Sequence, residues 1–272
     1  MPPTDADTLS PAVLAQLSPN WTSFVSTATT ALAVAVLLAI AYQPAEVYNW
    51  TLLFTDAANM ATFAADFLRP DFTDWRLFLD KMLETVYIAL WGTFLSTVFG
   101  IPFALLSSSN VAPWWIVQPV RRVMDATRAI NDIFFAILFV AAFGLGPFAG
   151  VMAVCIHNLG IISKLFSEAV EAIDPRPVEG IRSTGATRLQ EIGYGIIPQV
   201  LPLWSSLTLY RFETNVRSAT VLGIVGAGGI GFTFYESFRA FQYDRAAAVI
   251  VVVVVAVTLI DILSARLRKL LI

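Results

Sequence analysis

Two arginines, a glutamate and an asparagine cluster in one otherwise apolar stretch of the chain, residues 209–223. Arg211 and Arg217 are six residues apart, and Glu213 and Asn215 lie between them. A guanidinium group binds the oxygens of phosphate-like anions through paired hydrogen bonds. The stretch therefore has two interpretations. It forms an electropositive vestibule, with these four residues along the pathway of an oxyanion, or it forms a mutually neutralised structural network.

The other chemically versatile side chains do not combine into a catalytic or metal site. The single histidine, His157, follows the single cysteine, Cys155, at a spacing of two. Residues i and i+2 of a helix do not face each other, so we expect no metal site there. No acid lies close to His157 in the sequence, and an enzyme is the least favoured class. Arg128 and Asp132, four residues apart, are predicted to pair on one helix face.

A glycine cluster at residues 226–231 superficially resembles a phosphate-binding loop. Such a loop follows a β-strand, and a P-loop ends in Gly-Lys-Ser or Gly-Lys-Thr. That ending does not occur in the sequence, so the chain is not expected to hydrolyse ATP itself. We predict a closely packed turn, with anion-binding backbone N–H groups as the alternative.

The composition places most of the chain in a membrane. It has 272 residues, of which 57% are hydrophobic and 14% charged, whereas a soluble domain has about 25% charged residues. Lipid offers the backbone no water, so each span must be a helix of about 20 residues. We predict an all-α polytopic membrane protein with about six transmembrane helices, at residues 24–42, 82–107, 118–143, 147–166, 196–216 and around the valine-rich run 246–260.

The distribution of Lys and Arg predicts the orientation. Basic residues before the third span, in the insert after the fourth and at the C-terminus indicate the cytoplasmic side, so both termini are predicted to be cytoplasmic. Residues 1–20 contain no Lys or Arg and do not resemble a secretory signal. We therefore predict a cytoplasmic tail at 1–23, and a first transmembrane helix with an external interfacial segment at 24–80. A plain loop is the alternative for 44–80.

A charged insert separates the fourth and fifth spans. Asp174 and the two prolines after it predict a turn, followed by a short helix at 178–183 that begins after Pro177 and ends at Gly185. Thr187 is predicted to cap a second short helix at 188–193. The insert at 168–195 is thus predicted to form a helix–glycine–helix elbow, with an ordinary solvated loop as the alternative.

The spacing of Glu179, Gly185 and Pro198 resembles the EAA signature of ABC importer permeases. The family has Glu-Ala-Ala where this chain has Glu179-Gly180-Ile181. The blocks at 209–223 and 225–231 are similar to those of the phosphonate-type importer permeases, and the likeness extends over residues 80–270. The resemblance implies an importer-permease (MetI-like) core at 81–272 with cytoplasmic coupling helices.

The resemblance also implies function and partners. It implies a non-catalytic subunit of the bacterial plasma (inner) membrane that works as a homodimer among lipids. Two copies of a cytoplasmic ATPase would use ATP and Mg, and an extracytoplasmic binding protein would deliver phosphonate, phosphite or phosphate. No cofactor on this chain and no nucleic acid are expected. The ATPase-docking residues it implies are Glu179, Arg182, Gly185 and Arg188, with Gly185 as the hinge. The alternatives are a permease for methionine or a quaternary ammonium compound, or an ion-coupled secondary transporter.

Overall fold

The computed structural model describes residues 21–55 and 57–271, and this part of the chain contains helices and turns but no strand. The chain divides into two compact units, Met1–Thr62 and Phe63–Ile272. The first helices are α1 (Trp21–Tyr42), a 3-10 turn (Val47–Thr51), α2 (Leu52–Thr55) and α3 (Ala57–Phe67). Most of the predicted cytoplasmic tail, residues 1–20, lies outside the described residues.

The second unit contains the remaining helices. They are α4 (Trp75–Ser107), α5 (Trp114–Ala129), α6 (Asp132–Phe143), α7 (Pro147–Glu171), α8 (Pro175–Ser183), α9 (Arg188–Gln190), a π-helical turn (Glu191–Ile196), α10 (Ile197–Leu222), a 3-10 turn (Gly223–Val225), α11 (Ile230–Arg239) and α12 (Tyr243–Leu271).

Four described helices are long and apolar enough to cross a membrane, and the number rises to six if each of two bent helix pairs is one span. The four are Phe24–Tyr42, Trp75–Ser107, Pro147–Glu171 and Tyr243–Lys269. The predicted all-α polytopic class is confirmed. Backbone groups that meet lipid must be hydrogen-bonded within their own segment, which explains why even the valine-rich α12 is a helix.

The predicted span at 118–143 is not one continuous helix. It consists of α5 and α6, which meet at an angle of 86°. Asn131 is the N-cap of α6, and its side-chain oxygen accepts a hydrogen bond from the Ile133 N–H at 3.0 Å. On the other side of the break, His157 Nδ1 lies 2.8 Å from the Ile130 carbonyl oxygen. These two side chains satisfy backbone groups that a continuous helix would pair internally.

The predicted pair between Arg128 and Asp132 is also wrong. The two residues lie on opposite sides of the break, so the i,i+4 geometry of one helix does not apply to them. Arg128 instead pairs with Asp125 within α5, at 2.7 Å. Asp132 is the first residue of α6, where its charge favours the helix N-terminus.

α4 and α7 run parallel and pack closely through glycines. A Cβ atom on Gly92 would lie 2.6 Å from Val154, and one on Gly100 would lie 2.9 Å from Ile162. The two contacts are eight residues apart on both helices, which keeps the helices in register. Helices in lipid gain little from the hydrophobic effect, and small residues that allow close backbone approach are their usual contact sites.

Two apolar clusters fill the second unit, and a layer of polar side chains separates them. One cluster contains Ile88 and Ala89 of α4 with Val154 of α7, and the other contains Ala104 of α4 with Phe166 of α7. Between these positions lie the buried polar residues Thr93, Ser96 and Asn158. A polar layer in the interior of a membrane bundle is costly unless its groups are paired, so its hydrogen bonds bear directly on function.

Contacts near the first and last residues of the long helices show which helix ends lie together, and so define two ends of the bundle. At the first, the glycine-loop end, Arg245 pairs with Asp74 at 3.1 Å, next to the starts of α4 and α12. At the second, the elbow end, the turn after α4 meets the end of α7: the Ser109 N–H donates to Glu171 Oε1 at 2.7 Å. The helices α4, α7 and α12 therefore all run from the glycine-loop end towards the elbow end.

The glycine cluster at 226–231 is a closely packed turn, as predicted. Gly226, Gly228 and Gly229 have φ between 80° and 85°, a region that favours glycine. The N–H groups of Gly229 and Ile230 donate to Glu84 Oε1 at 3.0 Å and to Thr85 Oγ1 at 2.8 Å. Side chains of α4 therefore already occupy two of the N–H groups that the alternative reserved for an anion.

Candidate functional site

The charged insert folds into two helical segments joined at a glycine. Asp174 caps α8 by accepting from the Arg176 N–H at 3.0 Å. Gly185 has a φ of 83°, the left-handed conformation of a helix C-terminus. Thr187 and Gln190 form a capping box at the start of α9, as expected when a threonine precedes a helix. The structure thus has the predicted elbow shape.

Two boundaries within the elbow differ from the sequence prediction. α8 begins at Pro175, three residues earlier than predicted, because proline is accommodated in the first turn of a helix. The second segment does not end at residue 193. It continues through the π-helical turn Glu191–Ile196 into α10, so this second segment and the long helix α10 form one continuous helical path.

A buried glutamate holds the two segments of the elbow together. Glu191 is only 7% exposed, and it accepts hydrogen bonds from Arg182 at 2.9 and 3.0 Å and from Arg188 at 3.2 Å. Hydrogen bonding to this carboxylate raises the pKa of the Arg182 guanidinium above its usual value. Arg188 also donates to the carbonyl oxygens of Asn110 and Val111, at 3.2 and 2.6 Å.

Glu179 is the carboxylate of the elbow that points outward. Its carboxylate is exposed and forms no hydrogen bond or ion pair within the described part of the chain, although it interacts electrostatically with Arg182. It lies on the rim of a cleft of about 310 Å³ at the elbow end. The cleft is lined by Asn110, Glu171, Ile173, Pro175, Val178, Glu179, Arg182, Arg188, Glu191, Ile192 and Ile196. A free carboxylate beside two arginines gives this surface a mixed charge that suits a polar partner.

The polar layer of the bundle is centred on Arg211. Its Nε donates to Asn158 Oδ1 at 2.7 Å, and its Nη2 lies 3.4 Å from Asn215 Oδ1. The two amide groups donate in turn to α4, from Asn158 to Ser96 at 2.6 Å and from Asn215 to Thr93 at 2.8 Å. These hydrogen bonds connect α4, α7 and α10 near the middle of α4.

A second group of charges connects α10 to α12. Glu213 pairs with Arg217 at 3.4 Å and with Arg268 at 3.2 Å, and Arg217 pairs with Asp261 at 3.2 Å. The two acidic and two basic groups balance, which lowers the cost of placing them at membrane level. Even so, the side chain of Arg217 is 47% exposed.

Exposed polar side chains occupy part of one face of α10, between the exposed apolar residues Leu203 and Val221. Tyr210 is 50% exposed and Arg217 is 47% exposed, and the spacing of seven residues places them on one side of the helix. Thr214 lies between them on the same face. An exposed arginine on a membrane helix faces a water-filled cavity or another protein rather than lipid.

The predicted site residues thus form two separate groups. Glu179, Arg182, Gly185 and Arg188 come together at the elbow end, whereas Arg211, Glu213, Asn215 and Arg217 lie on α10 within the bundle. Residues 96–272, which include both groups, match the family described as "Binding-protein-dependent transport system inner membrane component". The chain belongs to this family.

Individual relatives and solved structures agree with this family. The permease is 38% identical over 220 residues to the phosphite transport system permease protein PtxC of Stutzerimonas stutzeri, covering 80% of each chain. It is 60% identical over 119 residues to the putative cryptic phosphonate transport system permease protein PhnE2 of Escherichia coli (strain K12), covering 44% of this chain and 98% of the relative. An inward-facing structure of the MetNI methionine ABC transporter shares the fold, with a TM-score of 0.65 and 21% identity over 74% of this chain and 99% of that one.

Membership of this family defines the general role of the chain. It is the multi-pass permease component of a binding-protein-dependent transport system, a non-catalytic membrane subunit. Permeases of ABC importers work with an ATPase and a substrate-binding protein, and an EAA motif on a coupling helix is typical of them. The MetI-like fold predicted from the resemblance is confirmed.

Sequence reasoning missed the residues that hold both groups in place. Glu191 was not singled out, although its spacing of three from Arg188 on a helix could have indicated an ion pair. Thr93 and Ser96 carry no such signal. They are small hydroxyl residues in a long apolar helix, and their partners are distant in sequence.

Proposed function

We propose that this permease imports a small phosphorus oxyanion, namely phosphite, a phosphonate or phosphate, in an ATP-driven ABC importer. The observation that carries the proposal is Arg211, a guanidinium held within the bundle by two amide oxygens. Guanidinium groups suit tetrahedral oxyanions because they offer paired donors and a permanent charge. The similarity to a phosphite transport permease and to a putative cryptic phosphonate transport permease supports this choice of cargo.

The substrate is tested with the cognate binding protein. Isothermal titration with phosphite, methylphosphonate and phosphate is expected to show binding of at least one of them, while methionine and glycine betaine serve as the controls. Because the binding protein selects what reaches the permease, this result identifies the cargo. Binding of methionine or glycine betaine, with none of the phosphorus compounds, would contradict the oxyanion assignment.

We infer that two copies of the permease form the pathway. The exposed face of Tyr210 and Arg217 is polar at membrane level, and a second copy placed opposite would enclose it in a shared aqueous path. Arg217 would then present its charge to the passing anion while Glu213 and Asp261 hold its position. In this arrangement Arg211, Glu213 and Arg217 border the pathway, and the buried Asn215 holds Arg211 in place from behind.

The elbow end is proposed to face the cytoplasm, with both termini on that side, and to dock one ATPase subunit per permease. ATP and Mg are then used by the ATPase, and the binding protein docks at the glycine-loop end. Glu179 supports this proposal because it is exposed and unpaired among the described residues, beside a cleft that contains Arg182 and Arg188. Gly185 gives the elbow its shape.

Docking is tested by copurification. The complex recovered through a tagged ATPase subunit is expected to contain two copies of the permease and two of the ATPase, measured by light scattering. The substitution Glu179→Ala is expected to reduce the recovered permease about tenfold, as for a central residue of an interface. Glu168 provides the matched control, since it is an exposed carboxylate of α7 whose one ion-pair partner among the described residues is Lys164, at 3.2 Å. Equal recovery of the Glu179→Ala and Glu168→Ala variants would rule out docking through Glu179.

A further inference from the structure

The elbow is tied to the membrane bundle through one buried carboxylate. Glu191 lies in the π-helical turn between α9 and α10, and its side chain is only 7% exposed. Both of its oxygens are used, Oε1 by Arg182 and Oε2 by Arg182 and Arg188. A carboxylate removed from water in this way is stable only while its charged partners remain in place.

Arg188 carries the connection beyond the elbow. Its Nη1 contacts Glu191, and its Nη2 donates to two carbonyl oxygens of the turn that follows α4, those of Asn110 and Val111. One guanidinium plane therefore joins the elbow to a segment almost eighty residues earlier in the chain. The planar, rigid donor geometry of arginine makes such a link directional, which a lysine could not reproduce.

The turn after α4 is itself fixed to the bundle. The N–H and Oγ of Ser109 both donate to Glu171 at 2.7 Å, and the Asn110 side chain donates to the Val170 carbonyl at 2.7 Å. Arg121 of α5 also pairs with Glu171. A force that reaches this turn is consequently shared among α4, α5 and α7.

The hinge at Gly185 makes such a tie necessary. Gly185 lies between α8 and α9, so a push on α8 could be absorbed by rotation about the glycine. Arg182 and Arg188 stand on opposite sides of this hinge, and Glu191 binds both of them. On the packing side, Val178 and Ile181 of α8 lie against Gly195, where a Cβ atom would be 3.1 to 3.3 Å from them.

We propose that Glu191 is a positioning residue that locks the elbow to the turn after α4, so that movement of a docked ATPase is passed into the bundle and not lost at Gly185. The inference rests on the proposed docking of an ATPase at α8. It assigns to Glu191 the coupling between ATP hydrolysis and transport, and not the docking itself.

The test compares substrate imported with ATP hydrolysed. The reconstituted complex of permease, ATPase and binding protein is assayed in proteoliposomes with the oxyanion that the binding protein retains. Glu191→Gln keeps the side-chain size but removes the charge that holds both arginines. The ratio of imported substrate to hydrolysed ATP is expected to fall about tenfold, within the range of ordinary coupling free energies, while copurification of the ATPase persists. The control is Glu168→Gln, which removes an exposed ion pair and is expected to leave the ratio unchanged.

A second measurement tests the contact between the elbow and the turn after α4 directly, without a transport assay. Spin labels at Ser183→Cys and Trp114→Cys, in a Cys155→Ala background, span the elbow and the segment after the turn. Their distance distribution is expected to be narrow and to broaden in Glu191→Gln. Arg188→Lys keeps a positive charge beside Glu191 but loses the planar pair of donors that reaches the carbonyls of Asn110 and Val111. This variant is also expected to broaden the distance distribution. This variant replaces Glu191→Gln if the latter does not fold.

The outcomes separate the two proposals. An intact complex with an unchanged ratio in Glu191→Gln would overturn the locking role and leave docking at α8 in place. If the wild-type permease does not copurify with the ATPase, the docking proposal fails. The spin-label distances alone then decide whether Glu191 ties the elbow to the turn after α4. An unchanged distance distribution in both variants would overturn the tie.

Discussion

The substitution Gly185→Pro is expected to abolish ATP-driven uptake while the membrane bundle stays folded. Gly185 adopts a φ of 83°, whereas the proline ring fixes φ near −65°. The proline would also remove the N–H that donates to the Arg182 carbonyl at 3.0 Å. The elbow would then lose its shape and separate Arg182 from Glu191. Uptake is measured in proteoliposomes that contain the ATPase, and folding by thermal unfolding of the purified permease.

Gly180→Ala is the matched control for this substitution. Gly180 lies inside α8, and a Cβ atom there would meet nothing within 4 Å. Alanine stabilises a helix interior by roughly 1 kcal/mol relative to glycine, so this variant is expected to keep full uptake. Full uptake by Gly185→Pro as well would show that the glycine conformation, and with it the elbow shape, does not matter for transport.

The second large effect is expected at Arg211. Arg211→Gln removes the positive charge and leaves the polar layer with fewer donors, so Asn158 Oδ1 or Asn215 Oδ1 loses its partner. An unsatisfied buried acceptor costs about 1–3 kcal/mol of stability. If the charge also receives the oxyanion, the initial rate of uptake falls at least tenfold, roughly 1.4 kcal/mol of lost stabilisation.

Arg211→Lys separates the charge from the hydrogen bonds. Lysine keeps the charge but lacks the planar fork, so this variant is expected to lose stability as the glutamine variant does and yet retain more uptake. The readouts are the unfolding temperature in detergent and the initial rate of uptake in proteoliposomes. Equal uptake by the two variants would indicate a purely structural role for Arg211.

Hydropathy and proline–glycine spacing were sufficient to predict most of the helices and the elbow. A membrane helix has to be long, apolar and internally hydrogen-bonded, and these constraints are visible in single segments. Pro177, Gly185 and Thr187 predicted the elbow because its turn depends on local backbone preferences. The break between α5 and α6 was missed, although Asn131 followed by Asp132 is a good helix start inside an apolar run.

The long-range polar contacts could not be predicted in this way. Arg188 meets the carbonyls of Asn110 and Val111, and a carbonyl acceptor has no signature in the sequence. The layer that joins Asn158 to Ser96 and Asn215 to Thr93 depends on the register of packed helices. That register is set by glycines such as Gly92 and Gly100, which identify a close approach but not the helix that makes it.

The most direct measurement of the central claim is uptake of a labelled oxyanion into proteoliposomes. The vesicles contain this permease with its ATPase, hold ATP and Mg on the ATPase side, and receive the loaded binding protein on the other. The account predicts accumulation of phosphite, a phosphonate or phosphate that stops when ATP is replaced by a non-hydrolysable analogue. Accumulation driven by a proton or sodium gradient without ATP, or ATP-driven uptake of methionine in place of every phosphorus oxyanion, would contradict it.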